Sequence, residues 1–436
     1  MYMKRFIIDK LLRWKNTDKN RQPLMLLGAR QVGKTYILKH FAKEHYKQFI
    51  YINFEANLAI AKEFDADISP KKIIEFLEIV FEQKIIPEKT LIIFDEIQSC
   101  ERAITSLKYF AEDAPQYHII AAGSLLCVAI NRAKYSFPVG KVLMLQMYPM
   151  DFEEFLIAMG KNSLIKSIKE AYCNLTPLPN ALHIDALNLY RKYLIIGGMP
   201  EVVAEYIENN NMLTITDVQQ KILDSYNADM SKYAKNDESI KIKACYDSLV
   251  TQLAKENKKF QYKIVQRGGT ASAFGVALNW LTLAGITLKC SHITQGVIPP
   301  TAYLDLPNFK IYMSDTGLLT LKSQVPQQLL LLNDQKSIGF KGVIVENYIA
   351  TVLINKGLSL WYWTSGNRAE IDFVAMIHDD LIPIEVKSGI NVKSRSLSVY
   401  RKKYNPPYSI RFSEKNFGFE NNIKSIPLYA AFCLIS

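Results

Sequence analysis

Residues Gly28 to Thr35 read Gly-Ala-Arg-Gln-Val-Gly-Lys-Thr, which is the spacing of a phosphate-binding loop, GxxxxGK[ST]. The loop follows the apolar run Leu24–Leu27 and precedes residues 34–45, whose apolar positions have helical spacing. Backbone N–H groups at such a strand–helix junction can surround an anion at the helix N-terminus. The residues predicted to bind phosphate are Gly28, Ala29, Arg30, Gln31, Val32, Gly33, Lys34 and Thr35.

Two carboxylates, Asp95 and Glu96, directly follow the apolar run Leu91–Phe94. Beside a phosphate loop, the first acid can anchor the shell of a bound Mg²⁺, and the second can polarise a water molecule for attack on the γ-phosphate. In the same chemistry Lys34 reaches the β- and γ-phosphates, and Thr35 holds the metal ion. A strand that ends in solvated acids is the alternative explanation. The second acid favours nucleotide hydrolysis over binding alone.

A second group of chemically capable residues, Asp372, Glu385 and Lys387, falls on two predicted strands near the C-terminal end. If Asp379 and Asp380 form a two-residue turn, Lys387 lies opposite Asp372 and Glu385 shares their face. The two acids repel each other unless a cation compensates them. They could hold Mg²⁺ or Mn²⁺, while Lys387 orients an attacking water or stabilises developing phosphate charge. Alternating charges on the wet face of a strand would give the same pattern.

The elements that must position the phosphate loop alternate between apolar runs and helical stretches from Pro23 to Pro149. Near-continuous apolar strands that alternate with helices are typical of a parallel sheet covered on both faces, so we predict an α/β fold. The predicted strands are residues 24–27, 49–54, 91–94, 119–122 and 142–145. The predicted helices between them are residues 34–45, 71–84 and 102–112.

The rest of the chain divides into three further parts. Residues 151–236 are mostly helical in pattern, with a Gly-Gly-Met-Pro break at residues 197–200. Two helices followed by two strands favour a winged-helix segment at residues 237–320. A helix and three strands then favour a smaller α/β domain at residues 321–436. The predicted elements of these last two parts are helices 241–255, 271–284 and 342–355 and strands 287–294, 309–313, 360–364, 369–376 and 381–387.

Composition restricts the class of protein. The chain has 436 residues, 49% hydrophobic and 22% charged, which excludes disordered, collagen-like and disulfide-scaffold proteins. Its six cysteines contain no CxxC pair, so we expect reduced thiols, a cytoplasmic location and no zinc site. The longest uncharged apolar stretch, residues 119–130, is shorter than the roughly 20 residues of a membrane helix, so no membrane partner is expected.

Positive charge is concentrated near the C-terminal end. The net charge is +11, and residues 387–424 contain nine basic and two acidic side chains. Such a segment attracts phosphate backbones, so DNA is the predicted macromolecular partner. A basic solvated surface without a partner is the alternative.

The order of the motifs resembles one particular family. The phosphate loop is followed by characteristic segments at residues 91–98, 122–126, 137–141, 148–155 and 197–200. Together they look like the prokaryotic AAA-type ATPases that carry a C-terminal domain of unknown function. The resemblance implies ATP as the nucleotide, an ATPase core at residues 1–150 and a helical lid at residues 151–236.

The same resemblance assigns further residues. It places Ser124 at a polar sensor position near the γ-phosphate and Pro200 near the adenine. Relatives commonly have arginine where Lys141 stands, and lysine cannot make the bidentate contact of an arginine finger. Arg132 is a substitute only by its proximity in sequence. Activation within a ring is therefore not expected, and assembly into a homo-oligomer stays open.

The C-terminal group resembles the PD-(D/E)xK nuclease superfamily, although Ile371 stands where proline often precedes the first acid. In that superfamily a preceding helix often contributes another acid, and Glu346 matches this position. The resemblance implies a metal site at Glu346, Asp372 and Glu385 in a restriction-endonuclease-like domain. Two functions follow: an ATPase that couples its nucleotide state to DNA binding or cleavage, or a nucleotide-dependent switch that engages a protein partner through an inactive C-terminal domain.

Overall fold

The computed structural model describes residues 3–17, 21–124, 138, 140–232, 236–255, 258–331, 338–366, 369–390 and 395–435. The chain divides into two compact units. The smaller comprises Arg5–Tyr148 with Leu283–Gly285, and the larger comprises most of the remainder. Within the described ranges, no helix has both the length and the apolar content needed to cross a membrane.

The smaller unit contains a five-stranded parallel sheet in the order β2-β3-β4-β1-β5. Its strands are β1 (Leu24–Leu27), β2 (Gln48–Asn53), β3 (Thr90–Asp95), β4 (His118–Gly123) and β5 (Leu143–Gln146). Every residue of β1, β3 and β4 is buried, as expected for central strands covered on both faces. The predicted parallel α/β sheet is therefore confirmed.

The first helix of this unit precedes β1, and the other described helices connect successive parallel strands. The helices are α1 (Ile7–Lys15), α2 (Lys34–His45), α3 (Leu58–Ala66), α4 (Pro70–Val80) and α5 (Glu101–Asp113). The bounds of α2 coincide with the prediction. Helices α1 and α3 were not predicted from the sequence. The second of these buries only Phe64, so it lacks the apolar stripe from which a helix is recognised.

The sheet topology brings the phosphate loop, the acidic pair and Ser124 to one edge. Strand β4 lies between β1 and β3, with Leu27 paired to Gly123 and Phe94 paired to Ala121. Since the strands are parallel, their carboxyl ends meet at the same edge of the sheet. This is the edge at which ligands of open α/β sheets bind.

The larger unit contains helices and an eight-stranded mixed sheet in the order β12-β13-β11-β10-β9-β8-β6-β7. Its strands are β6 (Thr287–Ile293), β7 (Leu304–Met313), β8 (Trp361–Thr364), β9 (Glu370–Ile377), β10 (Asp380–Val386), β11 (Ser409–Ser413), β12 (Gly418–Glu420) and β13 (Ile423–Pro427). Its α-helices are α6 (Phe152–Ala158), α7 (Asn162–Asn174), α8 (Asn180–Ile196), α9 (Pro200–Asn209), α10 (Met212–Lys232), α11 (Asn236–Leu253), α12 (Tyr262–Val265), α13 (Ala271–Leu283), whose last residue belongs to the smaller unit, α14 (Thr316–Lys322), α15 (Gln327–Leu331), α16 (Ile338–Asn355) and α17 (Arg395–Tyr404).

The two strands predicted for the winged-helix segment form one end of this larger sheet. Strands β6 and β7 pair as an antiparallel hairpin, and β6 also pairs in parallel with β8 through Ser291 and Trp361. The hairpin and the strands predicted for the nuclease-like domain therefore belong to one continuous sheet.

The predicted register of the β9–β10 hairpin is wrong. The structure places the turn at His378 and Asp379, which both have positive φ (47° and 68°), and Asp380 pairs with Ile377. Aspartate, like asparagine and histidine, tolerates this left-handed conformation better than most residues. The turn therefore lies one residue nearer the N-terminus than predicted. Continued one position beyond its last pair, the register sets Glu385 opposite Asp372. The predicted partner of Asp372 is wrong by two positions. An even shift keeps side chains on the same side of the sheet, so Asp372, Glu385 and Lys387 still share one face.

Two of the three aromatic residues at 361–363, in β8, belong to the core. Trp363 is fully buried and packs edge-on against Tyr400, with ring centroids 5.1 Å apart. Tyr362 is also buried, whereas Trp361 is partly exposed. Of these three rings, two are therefore unavailable for stacking on a nucleobase.

Candidate nucleotide site and C-terminal acid cluster

The phosphate loop has backbone conformations that favour glycine at both glycine positions of the GxxxxGK[ST] pattern. Gly28 has φ 151°, and a Cβ atom there would lie 2.3 Å from the carbonyl oxygen of Met147. Gly33 has φ 94° and is the N-cap of α2, so the loop turns directly into the helix. The loop therefore presents a helix N-terminus, where backbone N–H groups and the helix dipole favour an anion.

Lys34 is buried inside this loop, with 7% of its surface exposed. Its Nζ donates to the carbonyl oxygens of Gly28 and Ala29, each at 2.9 Å. These bonds hold the ammonium group across the loop. Phosphate oxygens bind an ammonium group more strongly than neutral carbonyl oxygens do, so a bound nucleotide could exchange for these contacts.

Thr35 and Asp95 meet as the predicted metal site requires. Thr35 Oγ1 donates to Asp95 Oδ2 at 2.6 Å, and the backbone N–H of Glu96 donates to Asp95 Oδ1 at 3.0 Å. Asp95 is only 1% exposed. A hydroxyl and a carboxylate are the hard oxygen donors that Mg²⁺ prefers, so these residues fit the ion that the fold implies.

Tyr51 is a third residue at this position, and no sequence motif includes it. Its hydroxyl group donates to Asp95 Oδ2 at 2.9 Å. Burial, followed by the negative charge of Asp95, raises the pKa of Tyr51 to about 12. The phenol therefore stays protonated and remains a donor near neutral pH. A tyrosine on a half-buried strand is usually a packing residue, so its type and position gave no signal.

Glu96 lies just beyond the strand in a left-handed backbone conformation, φ 49° and ψ 41°. Its side chain is partly exposed, and Oε2 accepts a hydrogen bond from Gln98 Nε2 at 2.5 Å. Non-glycine residues adopt this conformation rarely and are concentrated at functional sites. The arrangement suits the predicted role of Glu96 as the acid that polarises water.

The remaining residues of the predicted nucleotide site are only partly described. Ser124 is buried directly after β4, at the carboxyl edge of the sheet. Arg132 lies outside the described residues. Lys141 forms a surface ion pair with Glu112 at 3.0 Å in its own chain. Its part in an oligomer stays a prediction.

Pro200 occupies the first turn of α9, in the larger unit. The turn before it is tightly packed: a Cβ atom at Gly198 would lie 1.9 Å from the carbonyl oxygen of Met150. The N–H of Gly198 donates to the buried carboxylate of Asp315 at 2.7 Å. The two glycines of this turn are thus explained by packing, and the adenine contact of Pro200 stays a prediction.

The structure brings Asp372, Glu385 and Lys387 together in the larger unit. The backbone N–H of Val386 donates to Asp372 Oδ2 at 2.8 Å, and Lys387 Nζ lies 3.0 Å from Glu385 Oε1. Glu385 is 3% exposed, and its Oε2 has no hydrogen-bond partner among the described residues. The guanidinium Nε of Arg411 lies 3.8 Å from that oxygen. That oxygen thus has a cationic neighbour in Arg411 but accepts no hydrogen bond among the described residues.

Glu346 is more fully engaged than Glu385, because basic and hydroxyl groups donate hydrogen bonds to both of its oxygens. Lys258 contacts Oε2, while Lys310 Nζ lies 3.2 Å from Oε1, which also accepts from the Tyr312 hydroxyl. Burial alone would raise the pKa of Glu346, but Lys258 and Lys310 lower it to about 2. Glu346 is therefore an ionised carboxylate neutralised within the protein.

Lys310 extends this network. It is 1% exposed, and its Nζ also lies 2.5 Å from Glu370 Oε1. Its burial opposes the charged form, but Glu346, Glu370 and Asp372 hold the pKa of Lys310 above its usual value. Lys258 and Lys310 were not predicted as site residues. A lone lysine within the apolar strand Phe-Lys-Ile-Tyr-Met was a usable signal for Lys310, because an isolated lysine is rarely fully buried.

The three-acid metal site that the resemblance implies is not assembled. Among the described residues, no group of three or more His, Cys, Asp or Glu side chains could hold one metal ion. The physical reason is that Glu346 is bound by Lys258, Lys310 and Tyr312. Burial, then the charge of Glu346, raises the pKa of Asp372 to about 7.

Comparisons with known families cover three parts of the chain. Residues 20–156 match the family described as AAA domain. Residues 187–329 and 341–431 match two domains of unknown function, DUF8612 and DUF4143. No curated protein matches this chain.

Several solved structures are similar in part. The Walker-type ATPase PABY2304 of Pyrococcus abyssi is 14% identical, with a TM-score of 0.44 over 74% of this chain and 96% of its own. The ORC2 protein of Aeropyrum pernix, solved as ADPNP–ADP complexes, is 12% identical, with a TM-score of 0.35 over 80% and 95%. AMPPCP-bound DnaA from Aquifex aeolicus is 14% identical, with a TM-score of 0.26 over 63% and 86%. These values are too low to support an argument about activity.

The family match agrees with the phosphate-loop geometry and with the parallel sheet. The AAA-type prediction is confirmed for this part of the chain, and the C-terminal part matches a domain of unknown function, as the resemblance implied. Residues 20–156 form a P-loop domain of the AAA type.

Proposed function

We propose that this protein binds and hydrolyses ATP with Mg²⁺ and couples its nucleotide state to DNA binding or cleavage by the C-terminal part of the chain. The observation that supports the first half is the 2.6 Å contact between Thr35 and Asp95, next to the buried ammonium group of Lys34. A hydroxyl, a carboxylate and an ammonium group at the end of a phosphate loop are the groups that phosphoryl transfer needs.

Each residue has a distinct part in this chemistry. The loop amides and Lys34 bind the β- and γ-phosphates, and Thr35 and Asp95 hold Mg²⁺, which neutralises phosphate charge when bound. Glu96 accepts a proton from the attacking water. Ser124, at the end of the neighbouring strand, supplies a polar contact for the γ-phosphate.

The experiment for this half compares the parent protein with Lys34→Ala. We expect magnesium-dependent ATP hydrolysis by the parent and a loss of at least about a hundredfold in the variant, because a transition-state charge contact is removed. The control is Lys141→Ala, which removes a surface ammonium group of the same unit. Hydrolysis at the parent rate by Lys34→Ala would refute the assignment.

The DNA-directed half is supported by Asp372, Glu385 and Lys387, and above all by the buried Glu385 oxygen without a hydrogen bond among the described residues. Exposed lysines at 402, 403 and 415 supply positive charge in the same part of the sequence. A divalent cation at Asp372 and Glu385 would supply an activated water, and Lys387 would stabilise phosphate charge.

The second experiment incubates plasmid and single-stranded DNA with Mg²⁺ or Mn²⁺. We expect nicking by the parent and none by Glu385→Ala or Lys387→Ala. Unchanged nicking in both variants would place the activity elsewhere. DNA affinity should fall steeply with salt concentration, because phosphate contacts release counterions.

The alternative function is a nucleotide-dependent switch that engages a protein partner, with a catalytically inactive C-terminal domain. The engagement of Glu346 by Lys258, Lys310 and Tyr312 favours this alternative, since those groups replace a metal ion. Slow ATP turnover combined with salt-insensitive DNA affinity would support it. Cleavage that depends on Glu385 would exclude it.

A further inference from the structure

We infer that Tyr51 is a positioning residue of the nucleotide site, which fixes the Asp95 carboxylate for the Mg²⁺ that accompanies ATP. Neither the sequence motifs nor the family matches assign a role to this residue. The inference rests on the proposed function, because it concerns the metal used in that hydrolysis.

The register of β2 and β3 places the Tyr51 side chain on the same face of the sheet as Asp95. Strand β2 runs parallel to β3, with Tyr51 paired to Ile93 and Asn53 paired to Asp95. Tyr51 and Asp95 are thus one pleat apart on neighbouring strands, and side chains two positions apart share a face. A tyrosine at this register position is long enough to reach the end of β3. The 2.9 Å contact is the result.

The Tyr51 hydrogen bond adds a third donor to the Asp95 carboxylate and so restricts its orientation. Asp95 Oδ2 accepts from both Thr35 and Tyr51, and Oδ1 accepts from the N–H of Glu96. Three donors on two oxygens define the plane of the group. Hydrogen bonds to a charged acceptor are stronger than neutral ones, so the loss of one changes the orientation and the energy of Asp95.

Lys39 makes a cation–π contact with the Tyr51 ring. Its Nζ lies 3.7 Å from the centroid of the Tyr51 ring. Thr35 and Lys39 are four residues apart in α2 and so lie on one face of the helix. One helix face therefore contacts both Asp95 and the residue that positions it. A cation over an aromatic face is attracted to it and restrains the ring.

Different residues of this site therefore bind the metal and the phosphates. The loop amides and Lys34 hold phosphate without the help of Asp95, whereas the metal depends on Thr35 and Asp95. Loss of the Tyr51 hydroxyl should therefore weaken the gain in nucleotide affinity that Mg²⁺ provides. It should leave the affinity measured in EDTA unchanged.

The test measures the affinity of a fluorescent ATP analogue for the parent and for Tyr51→Phe, in EDTA and in Mg²⁺. We expect the gain on adding Mg²⁺ to be about threefold to tenfold smaller in the variant, since one hydrogen bond to a charged group is lost. The Mg²⁺ concentration for half-maximal hydrolysis should rise in parallel. Lys39→Met should change both quantities in the same direction but by less.

The control is Tyr46→Phe, which removes a tyrosine hydroxyl that contacts His118 Nδ1 at 2.7 Å in the same unit. We expect it to leave the Mg²⁺ dependence unchanged. An unaltered Mg²⁺ gain in Tyr51→Phe would overturn the inference. Equal weakening in EDTA and in Mg²⁺ would also overturn it, because the hydroxyl would then support the fold rather than the metal site. If the parent binds no nucleotide in either buffer, the proposed function itself fails, and this inference fails with it.

Discussion

Lys34 in the phosphate loop and Lys310 in the C-terminal sheet are both buried ammonium groups, 7% and 1% exposed, but their partners differ. Lys34 donates to two backbone carbonyl oxygens of its own loop. Lys310 forms ion pairs with the carboxylates of Glu346 and Glu370. The first set of bonds joins a charge to neutral dipoles, and the second joins opposite charges.

The difference bears on what each site can bind. Bonds to neutral carbonyls are weaker than bonds to phosphate oxygens, so the loop can exchange them for a nucleotide. A buried ion pair can be broken only by leaving a charge without its partner, which costs several kcal/mol. A metal ion at the C-terminal cluster must therefore compete with resident lysines or bind through Asp372 and Glu385 alone.

The first prediction, which has the largest expected effect, concerns the rate of ATP hydrolysis at the nucleotide site. Glu96→Gln should lower the rate of ATP hydrolysis by about 10²–10⁴, because a general base is removed. Nucleotide affinity should stay close to that of the parent, since Glu96 does not hold phosphate. Steady-state hydrolysis and binding of a fluorescent analogue measure the two quantities. Glu112→Gln, which alters a surface acid of the same unit, is the control, and equal rates in both variants would contradict the role of Glu96.

The second prediction concerns stability rather than activity. Lys310→Met removes the buried cation that Glu346 and Glu370 share, leaving Glu346 with the partly exposed Lys258, and should lower the free energy of unfolding of the larger unit by roughly 3–5 kcal/mol. Urea unfolding followed by circular dichroism measures it. Lys322→Met breaks a pair with the half-exposed Asp247 and should cost less than about 1 kcal/mol. A loss below that value for Lys310→Met would mean that the C-terminal cluster is not an ion-pair network.

The third prediction uses the pH dependence of stability. Burial and Glu346 raise the pKa of Asp372 from its ordinary value of 3.8 to about 7, so the folded state binds a proton that the unfolded state has released. Stability therefore falls as the pH rises from about 4 to about 7, and is then constant for this group. Asp372→Asn removes that loss. Relative to the parent, the variant should gain on the order of 1–3 kcal/mol across this window.

The measurement is a series of urea unfolding curves from pH 4 to pH 8. Burial also raises the pKa of Asp315, to about 6, in a different part of the unit. Asp315 is present in both proteins, so its contribution to the pH dependence cancels when the two unfolding free energies are subtracted. A difference between parent and Asp372→Asn that is independent of pH would contradict the environment described for Asp372.

The fourth prediction concerns metal binding at Glu346. Lys258 is 20% exposed, compared with 1% for Lys310, so it is the lysine that a metal can displace from Glu346. Lys258→Met should strengthen Mn²⁺ binding by about threefold to tenfold, because a competing ammonium group is gone. Isothermal calorimetry with Mn²⁺ measures it, with Lys243→Met as the control. Weaker binding in Lys258→Met would show that the lysine supports the metal site instead.

The sequence predicted the phosphate loop and its sheet because both depend on local patterns. The loop spacing, the α2 bounds and four fully buried strand residues at Leu24–Leu27 can be read from neighbouring residues. Tyr51 could not be predicted, because its contact with Asp95 depends on the pairing of β2 with β3. That pairing joins residues more than forty positions apart.

The C-terminal cluster was predicted only in part for the same reason. The face shared by Asp372 and Glu385 follows from the two-residue period of strands, which a register error of two positions preserves. The partners of Glu346 come from β7 and from Lys258, which lies 88 positions earlier in the chain. Charge compensation across elements has no local pattern. The prediction therefore missed the cations of this cluster, and the assignment of Glu346 to a metal ion stays a prediction.

Calorimetric titration of the purified protein with ATP in magnesium buffer tests whether the loop around Lys34 is a nucleotide site. We predict saturable binding of one ATP per chain, which Lys34→Ala weakens strongly. Absence of heat from ATP, and from GTP as the other common purine triphosphate, would contradict it.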